Sequence, residues 1–291
     1  MKKVILMLVV LFLAIFAFAQ TQNNTANDKL LKAVYDASET GIDIAINQGA
    51  DIHMKDSFDR NLLMKLVSSS YAKFIEDETN VRKYADDIKR GGVAQHLIDL
   101  GVDVNGKDRI DDTPLMYAAK AGYSQVVKTL IRNKAKVDAI GSAHRTALIK
   151  AIDNYRPYVM GQFVGQIPHG KYIEIVTTLV KKAPEVIDVQ DTNGDTALHI
   201  AASKGERDVV EILIKKGKAR KDLKNSRNKT PYDYASELYD RVLDEQRHGF
   251  SSSRYKLSDI KKMMELTELP TKKVEKQIGQ NVTKKVDEVL S

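Results

Sequence analysis

The sequence predicts an all-α fold: a solenoid of about six stacked helix-turn-helix units with short β-hairpin turns, followed by C-terminal helices. Three observations carry that expectation. The stretch Asp112-Thr113-Pro114-Leu115-Met116-Tyr117-Ala118-Ala119-Lys120-Ala121-Gly122 aligns, position by position and without a gap, with Asp195-Thr196-Ala197-Leu198-His199-Ile200-Ala201-Ala202-Ser203-Lys204-Gly205. Weaker copies begin one period after each of these, at Arg145-Thr146-Ala147-Leu148 and at Lys229-Thr230-Pro231-Tyr232. Each full copy is followed by a second apolar stripe, Val126, Val127, Leu130 and Ile131 or Val209, Val210, Leu213 and Ile214, at helical spacing. A period of roughly 33 residues is the mark of a repeat array.

From the N-terminus, Lys2 and Lys3 precede an apolar run from Val4 to Phe18 that ends in Ala17-Phe18-Ala19 before Gln20. This is the form of a cleavable secretory signal of bacterial type. Residues 1–19 are expected to be removed, residues 20–27 to be a flexible N-terminus, and the mature protein to be periplasmic or secreted. An uncleaved anchor is the alternative, disfavoured because the run falls short of the ~20 apolar residues that span a bilayer. No Cys follows the run, which excludes a lipoprotein anchor. After residue 20 no stretch has the length and apolarity of a span, so no integral membrane segment is expected once the signal is gone.

The repeat units are read as 28–55, 56–107, 108–140, 141–190, 191–224 and a truncated, capping 225–248. In the units from 108 onward a Thr precedes the first helix, where its hydroxyl caps free backbone donors and Pro is tolerated in the first turn. Leu115, Ala118 and Ala119 place small apolar side chains on one face, so that the next unit can approach closely. Gly122 and Gly205 are expected at helix ends that need positive φ, with Asn133 and Gly217 closing the second helices. One unit alone leaves an apolar face in water, and stacking removes it.

Two units are long. The second-helix residues Val176, Leu179 and Val180 come later than one period after Val127, Leu130 and Ile131, which places an insert of about 16 residues near 155–171. Asn61 and Thr113 are likewise too far apart for one period, which places about 19 extra residues near 70–91. The first insert, charged and free of Pro, is expected to lengthen the helices; the second, with Tyr155, Tyr158, Phe163 and three Gly, is expected to be an aromatic loop suited to binding. From 249 to 291 the chain leaves the repeat. Ser251–Ser253 reads as a linker and Ser258-Asp259 as the start of a short helix carrying Ile260, Met263, Met264 and Leu266. Val274, Ile278, Val282, Val286 and Leu290 then form one apolar stripe, which either folds back as a cap or pairs with another chain.

These residues resemble the ankyrin repeat, whose period and T-P-L-H-x-A signature they approach over most of the mature chain. The resemblance implies a helical solenoid that engages a protein through its hairpin tips and the concave face of its first helices. By position, the implied contact residues are Phe58, Arg60, Arg109, Ile110, Asp112, Lys120, Arg145, Asn193, Asp195 and Lys204, to which the insert adds Tyr155, Tyr158 and Phe163. Phe58 and Ile110 are apolar where a turn is ordinarily polar, as contact residues would be, or as packing on a neighbouring hairpin would require. Asp111 stands where the family carries Gly, and Gly141 opens a poor copy, so the hairpins of the third and fourth units are expected to deviate. His199 falls at the signature His, which in the family bridges neighbouring hairpins.

Composition narrows the rest. Without Lys2 and Lys3 the 46 basic residues become 44 against 39 acidic ones, a mild excess of +5. Cations and anions alternate, as in Asp86, Asp87, Lys89 and Arg90, which reads as a solvated surface. The run Lys215, Lys216, Lys218, Arg220, Lys221, Lys224, Arg227 and Lys229 is the exception, either an anionic-partner patch or the polar face of an end repeat. Cys is absent, and the six His lack metal-ligand spacing. No phosphate loop, zinc helix motif, nucleophile elbow or calcium loop is present, so no catalytic residue, metal or cofactor is expected. Basic residues without interleaved aromatics argue against nucleic acid. The expected function is that of a monomeric, exported, non-enzymatic scaffold for a protein partner. The alternatives are a small-ligand or enzyme site built on the two inserts, and an envelope protein whose basic run meets an anionic polymer.

Overall fold

The computed structural model describes residues 24–68, 80–154, 169–248 and 255–269, with side chains omitted for 80–85. The expected signal peptide, the tip of the first insert, the loop with Tyr155, Tyr158 and Phe163, and the stripe from Val274 to Leu290 lie outside the described residues. The chain divides into two compact units, residues 1–142 and 143–291.

The first unit contains α1 (24–35), α2 (Glu39–Asn47), α3 (Leu62–Ser68), α4 (Asn80–Asp99), α5 (Pro114–Ala121) and α6 (Ser124–Arg132). Helices pair as α3 with α4 and α5 with α6. The pairs then stack first helix on first helix, α3 against α5, and second on second, α4 against α6. The second unit repeats the scheme with α7 (Ala147–Asn154), α8 (His169–Lys182), α9 (Ala197–Ser203), α10 (Arg207–Lys215), α11 (Pro231–Arg247) and α12 (Leu257–Thr267). There α7, α9 and α11 form the row of first helices, and α8, α10 and α12 the row of second helices. The truncated last repeat is thus completed by α12, which packs on both α10 and α11 through buried Ile260 and Met263.

Local chemistry sets the helix ends. Thr113, Thr196 and Thr230 stand in extended backbone before α5, α9 and α11, and the hydroxyl of each accepts the N–H three residues on. Asn61 does the same for α3, where the sequence lacks the Thr. Gly122 (φ 81°) closes α5 in the left-handed conformation, and its N–H returns to Ala118 and Ala119 carbonyls. Asn133 closes α6 as its C-cap, whereas Lys216 closes α10 just before Gly217; the left-handed residues that follow these two helices are Lys134 and Lys218. Gly217 is needed for a different reason: a Cβ there would stand 2.7 Å from the Leu213 carbonyl and 2.9 Å from Ile187 Cδ1.

The first insert corrects the reading of its charges as a solvated face. Its described part is the first half of α4, in which Asp87 and Arg90 are buried. Asp87 accepts the Ser124 hydroxyl at 2.9 Å and the Gln125 N–H at 3.0 Å, supplying the cap that Tyr123, at the N-cap position of α6, does not. Arg90 reaches the carbonyls of Leu66 and Tyr35, takes Asp86 as its ion partner at 2.8 Å, and lies over the Tyr123 ring. Gly91 lets α4 meet α6 closely, because a Cβ would fall 2.9 Å from Gln125 Cβ.

Candidate functional site

The surfaces that could hold a partner are the turns preceding α3 and α5 in the first unit and those preceding α9 and α11 in the second. Each turn is organised by one side chain five residues before the helix cap: Asp56, Asp108, Asp191 and Asn225. In all four, Oδ1 accepts two backbone N–H groups, from the residues two and four positions on, at 2.8–3.1 Å. The backbone N–H of the same residue donates to the carbonyl four residues on. The residue three positions on is left-handed in every case: Asp59, Asp111, Gly194 and Asn228, with φ between 60° and 73°. Asp and Asn tolerate that conformation better than other non-Gly residues, so the third hairpin is regular despite lacking Gly. The fourth deviates, with Ala143 and His144 both at φ 56°. Neither of the adjacent Asp111 and Asp112 side chains orders the third turn. Asp111 pairs with Lys107 at the surface, and Asp112 accepts the Ser142 N–H at 2.8 Å; Asp108 orders the turn.

Successive tips are joined backbone to backbone. The Arg109 N–H donates to the Phe58 carbonyl at 3.0 Å in the first unit, and Ser226 N–H to Asn193 and Thr192 N–H to Ala143 in the second. Phe58 and Ile110 therefore occupy the same position on adjacent tips, 59% and 55% exposed. Arg60 lies over the Phe58 ring at 5.2 Å while its guanidinium pairs with Asp56, which also takes Lys65 at 2.5 Å. Burial pushes the Asp56 carboxyl up, but hydrogen bonds from Arg60 and Lys65 outweigh it and hold the group well below the usual carboxylate range. Arg109 is exposed and pairs with Asp59 of the neighbouring tip at 3.2 Å.

Other expected contact residues are committed to the scaffold. Asp112 and Asp195 are buried, and Asp195 accepts from Asn225 Nδ2 at 2.7 Å. Arg145 bridges Asp191 at 2.9 Å and Asp153 at 2.6 Å. Lys204 closes the end of α7 through the Ile152 and Asp153 carbonyls. Lys120 and Asn193 are exposed. The organising Asp56, Asp108, Asp191 and Asn225 were not singled out from the sequence, although an Asp or Asn five residues before each cap was there to be read.

His199 is fully buried. Its Nδ1 accepts the Thr196 N–H at 3.2 Å, and its Nε2 donates to the Lys229 carbonyl at 3.1 Å, on the hairpin of the following repeat. Burial holds the imidazole below the ordinary histidine value, which keeps it neutral and able to both accept and donate. Among the described residues, no three His, Asp or Glu side chains are grouped to hold a metal ion, and no helix is long and apolar enough to cross a membrane.

The model of the family described as ankyrin repeats (3 copies) matches residues 86–160 and 166–243, more than half of the chain. The chain belongs to the ankyrin-repeat family. Similar proteins include the poly [ADP-ribose] polymerase tankyrase of Caenorhabditis elegans, 32% identical over 106 residues, which cover 35% of this chain and 4% of that protein. The neurogenic locus notch homolog protein 1 of Homo sapiens is 33% identical over 143 residues, 49% of this chain and 5% of its own. Alpha-latrocrustotoxin-Lt1a of Latrodectus tredecimguttatus is 29% identical over 156 residues, 53% of this chain and 10% of its own. The chain thus spans a tenth or less of each of these relatives, and the likeness covers no more than about half of it. Ankyrin repeats are protein-interaction modules, and the interior His199 bridge and the Thr caps of this chain serve that scaffold.

Proposed function

We propose that this ankyrin-repeat protein is a non-enzymatic scaffold working outside the cytosol, which holds a protein partner on the hairpin tips of its first unit. The observation that carries the reading is the pairing of Phe58 and Ile110, two large apolar side chains more than half exposed on tips that share a backbone hydrogen bond. Turns face water and are ordinarily polar, so apolar side chains at matching positions of two neighbours suit a contact surface. Aromatic and Arg side chains carry a large share of binding energy at interfaces, and here Phe58, Arg60 and Arg109 lie around Ile110's tip. The polar groups beneath are satisfied within the repeats and leave the tips rigid. The location outside the cytosol rests on the sequence from Lys2 to Gln20.

The test is photo-cross-linking in the native compartment from a probe placed at Ser57, followed by mass spectrometry of the conjugates. A protein captured by the wild type and lost in the double variant Phe58→Ser, Ile110→Ser, with unchanged thermal unfolding, is the expected result. An unchanged set of conjugates would exclude the tips as the contact surface. Recovery of the chain in the cytosol with residues 1–19 intact would rule out export.

A further inference from the structure

The second unit has an edge whose charge the scaffold does not use. The second helices α8 and α10 lie side by side, and their C-terminal ends meet: a Cβ on Gly217 would sit 3.3 Å from Val180 Cγ1. Beyond them the segments continue in parallel contact, with the Arg220 N–H on Asp188 at 2.9 Å and the Gln190 side chain on the Lys224 carbonyl at 2.9 Å. Lys181 and Lys182 end α8; Lys216, Lys218 and Lys224 follow α10. All five are exposed, and none has a carboxylate within ion-pair distance among the described residues. Their neighbours differ: Lys215 pairs with Glu211, Arg220 with Asp222, and Lys221 closes the end of α12.

The helix dipole accounts for the lysines in the last turn of α8, since cations are favoured there. It does not account for Lys218 and Lys224, which lie past the helix end. In the first unit Arg109 is neutralised by Asp59 and Lys107 by Asp111, while the three cations at and after the end of α6, Arg132, Lys134 and Lys136, have no second converging helix end that carries lysines beside them in the manner of Lys181 and Lys182. Five unneutralised cations on one edge repel one another, and an anion bound along the edge would relieve that repulsion. The cations are ammonium groups on flexible stems rather than planar guanidinium forks, which suits repeated anionic groups bound as point charges. No large apolar side chain is exposed in this unit among the described residues, so the edge offers nothing to insert into a bilayer or to stack on a base. We propose that this edge, formed by the converging ends of α8 and α10 and the residues to Lys224, is a binding surface for a linear polyanion carrying closely spaced phosphate groups.

The probe is fluorescein-labelled long-chain inorganic polyphosphate, titrated with the full-length protein at about 50 mM salt, where phosphate contacts are strong, and followed by anisotropy. The variant Lys181→Gln, Lys182→Gln, Lys216→Gln, Lys218→Gln, Lys224→Gln should bind at least about tenfold more weakly. Its log affinity should fall less steeply with log salt, by roughly 0.7 per lysine removed. A control removing exposed cations of the first unit, Lys32→Gln, Lys55→Gln, Arg132→Gln, Lys136→Gln, should bind as the wild type does. The wild type and the control, but not the five-lysine variant, should gain thermal stability on adding polyphosphate. Equal binding by the two variants would overturn the proposal, as would absence of wild-type binding at that low salt. So would binding to vesicles of one part anionic to four parts zwitterionic phospholipid with none to polyphosphate, which would make the edge a membrane contact.

Discussion

Asp87 of α4 caps a helix that is not its own, accepting the backbone N–H of Gln125 at 3.0 Å at the start of α6. It is buried with the Ser124 hydroxyl as its second donor. Replacing it with Ala strands both donors and removes the anion from the positive end of the α6 dipole. Asp87→Ala should therefore destabilise the protein by about 2–3 kcal/mol, near the upper range for a lost cap with a stranded buried partner. Asp87→Asn, which keeps one acceptor, should cost less. Urea unfolding followed by circular dichroism would show the order Ala, Asn, wild type in rising midpoint; equal midpoints for Ala and wild type would refute the capping role.

The hairpins predict opposite effects for two neighbouring Asp residues. Asp108 accepts the N–H groups of Ile110 and Asp112, so Asp108→Ala should destabilise by about 1–2 kcal/mol. Asp111 only holds a left-handed backbone (φ 63°) and an exposed pair with Lys107. Asp111→Gly relieves that conformation and should raise stability by up to about 1 kcal/mol, because exposed pairs contribute little. Chemical denaturation of the two variants side by side tests the contrast.

His199 gives the protein a pH dependence of definite sign. Its folded pKa lies below the ordinary value, so between the two values the unfolded chain binds the extra proton. The corresponding stability is present above about pH 6.5 and is lost as pH falls through the folded value. Melting temperatures of wild type and His199→Ala, compared from neutral to mildly acidic pH, should converge towards the acid end. A constant gap between them across that range would contradict the buried neutral imidazole.

Gly217 is required by close packing and not by backbone conformation. Gly217→Ala should destabilise by about 1–3 kcal/mol, the usual cost of overpacking, because the contacts at 2.7 and 2.9 Å include a carbonyl that cannot yield cheaply. A thermal melt unchanged within error would show that α10 and the Ile187 turn can separate without cost.

What the sequence disclosed followed from self-similarity. Thr113, Gly122 and the stripe Val126 to Ile131 could be placed because a second copy, running from Thr196 through Gly205 to Ile214, repeats each of them in the same order and spacing. Phe58 and Ile110 were legible as surface residues because their neighbours define a turn. Asp87 and Arg90 were not: the first insert has no copy to align with, and their partners Ser124, Gln125, Leu66 and Tyr35 are all distant in the chain. Charge alternation alone cannot distinguish a solvated helix face from a buried ion network, since both place Asp and Arg four apart. Asp112 and Asp195 misled for a related reason, because occupying a turn position does not say whether the side chain faces solvent or the adjacent repeat.

The seat taken by α12 restricts how this array can be lengthened. With Ile260 and Met263 sunk against α10 and α11, and Lys221 fastened to its last carbonyls, α12 is the last of the second helices among the described residues. A repeat inserted between Arg247 and Leu257 would part α12 from the two helices that bury Ile260 and Met263, and so expose both side chains.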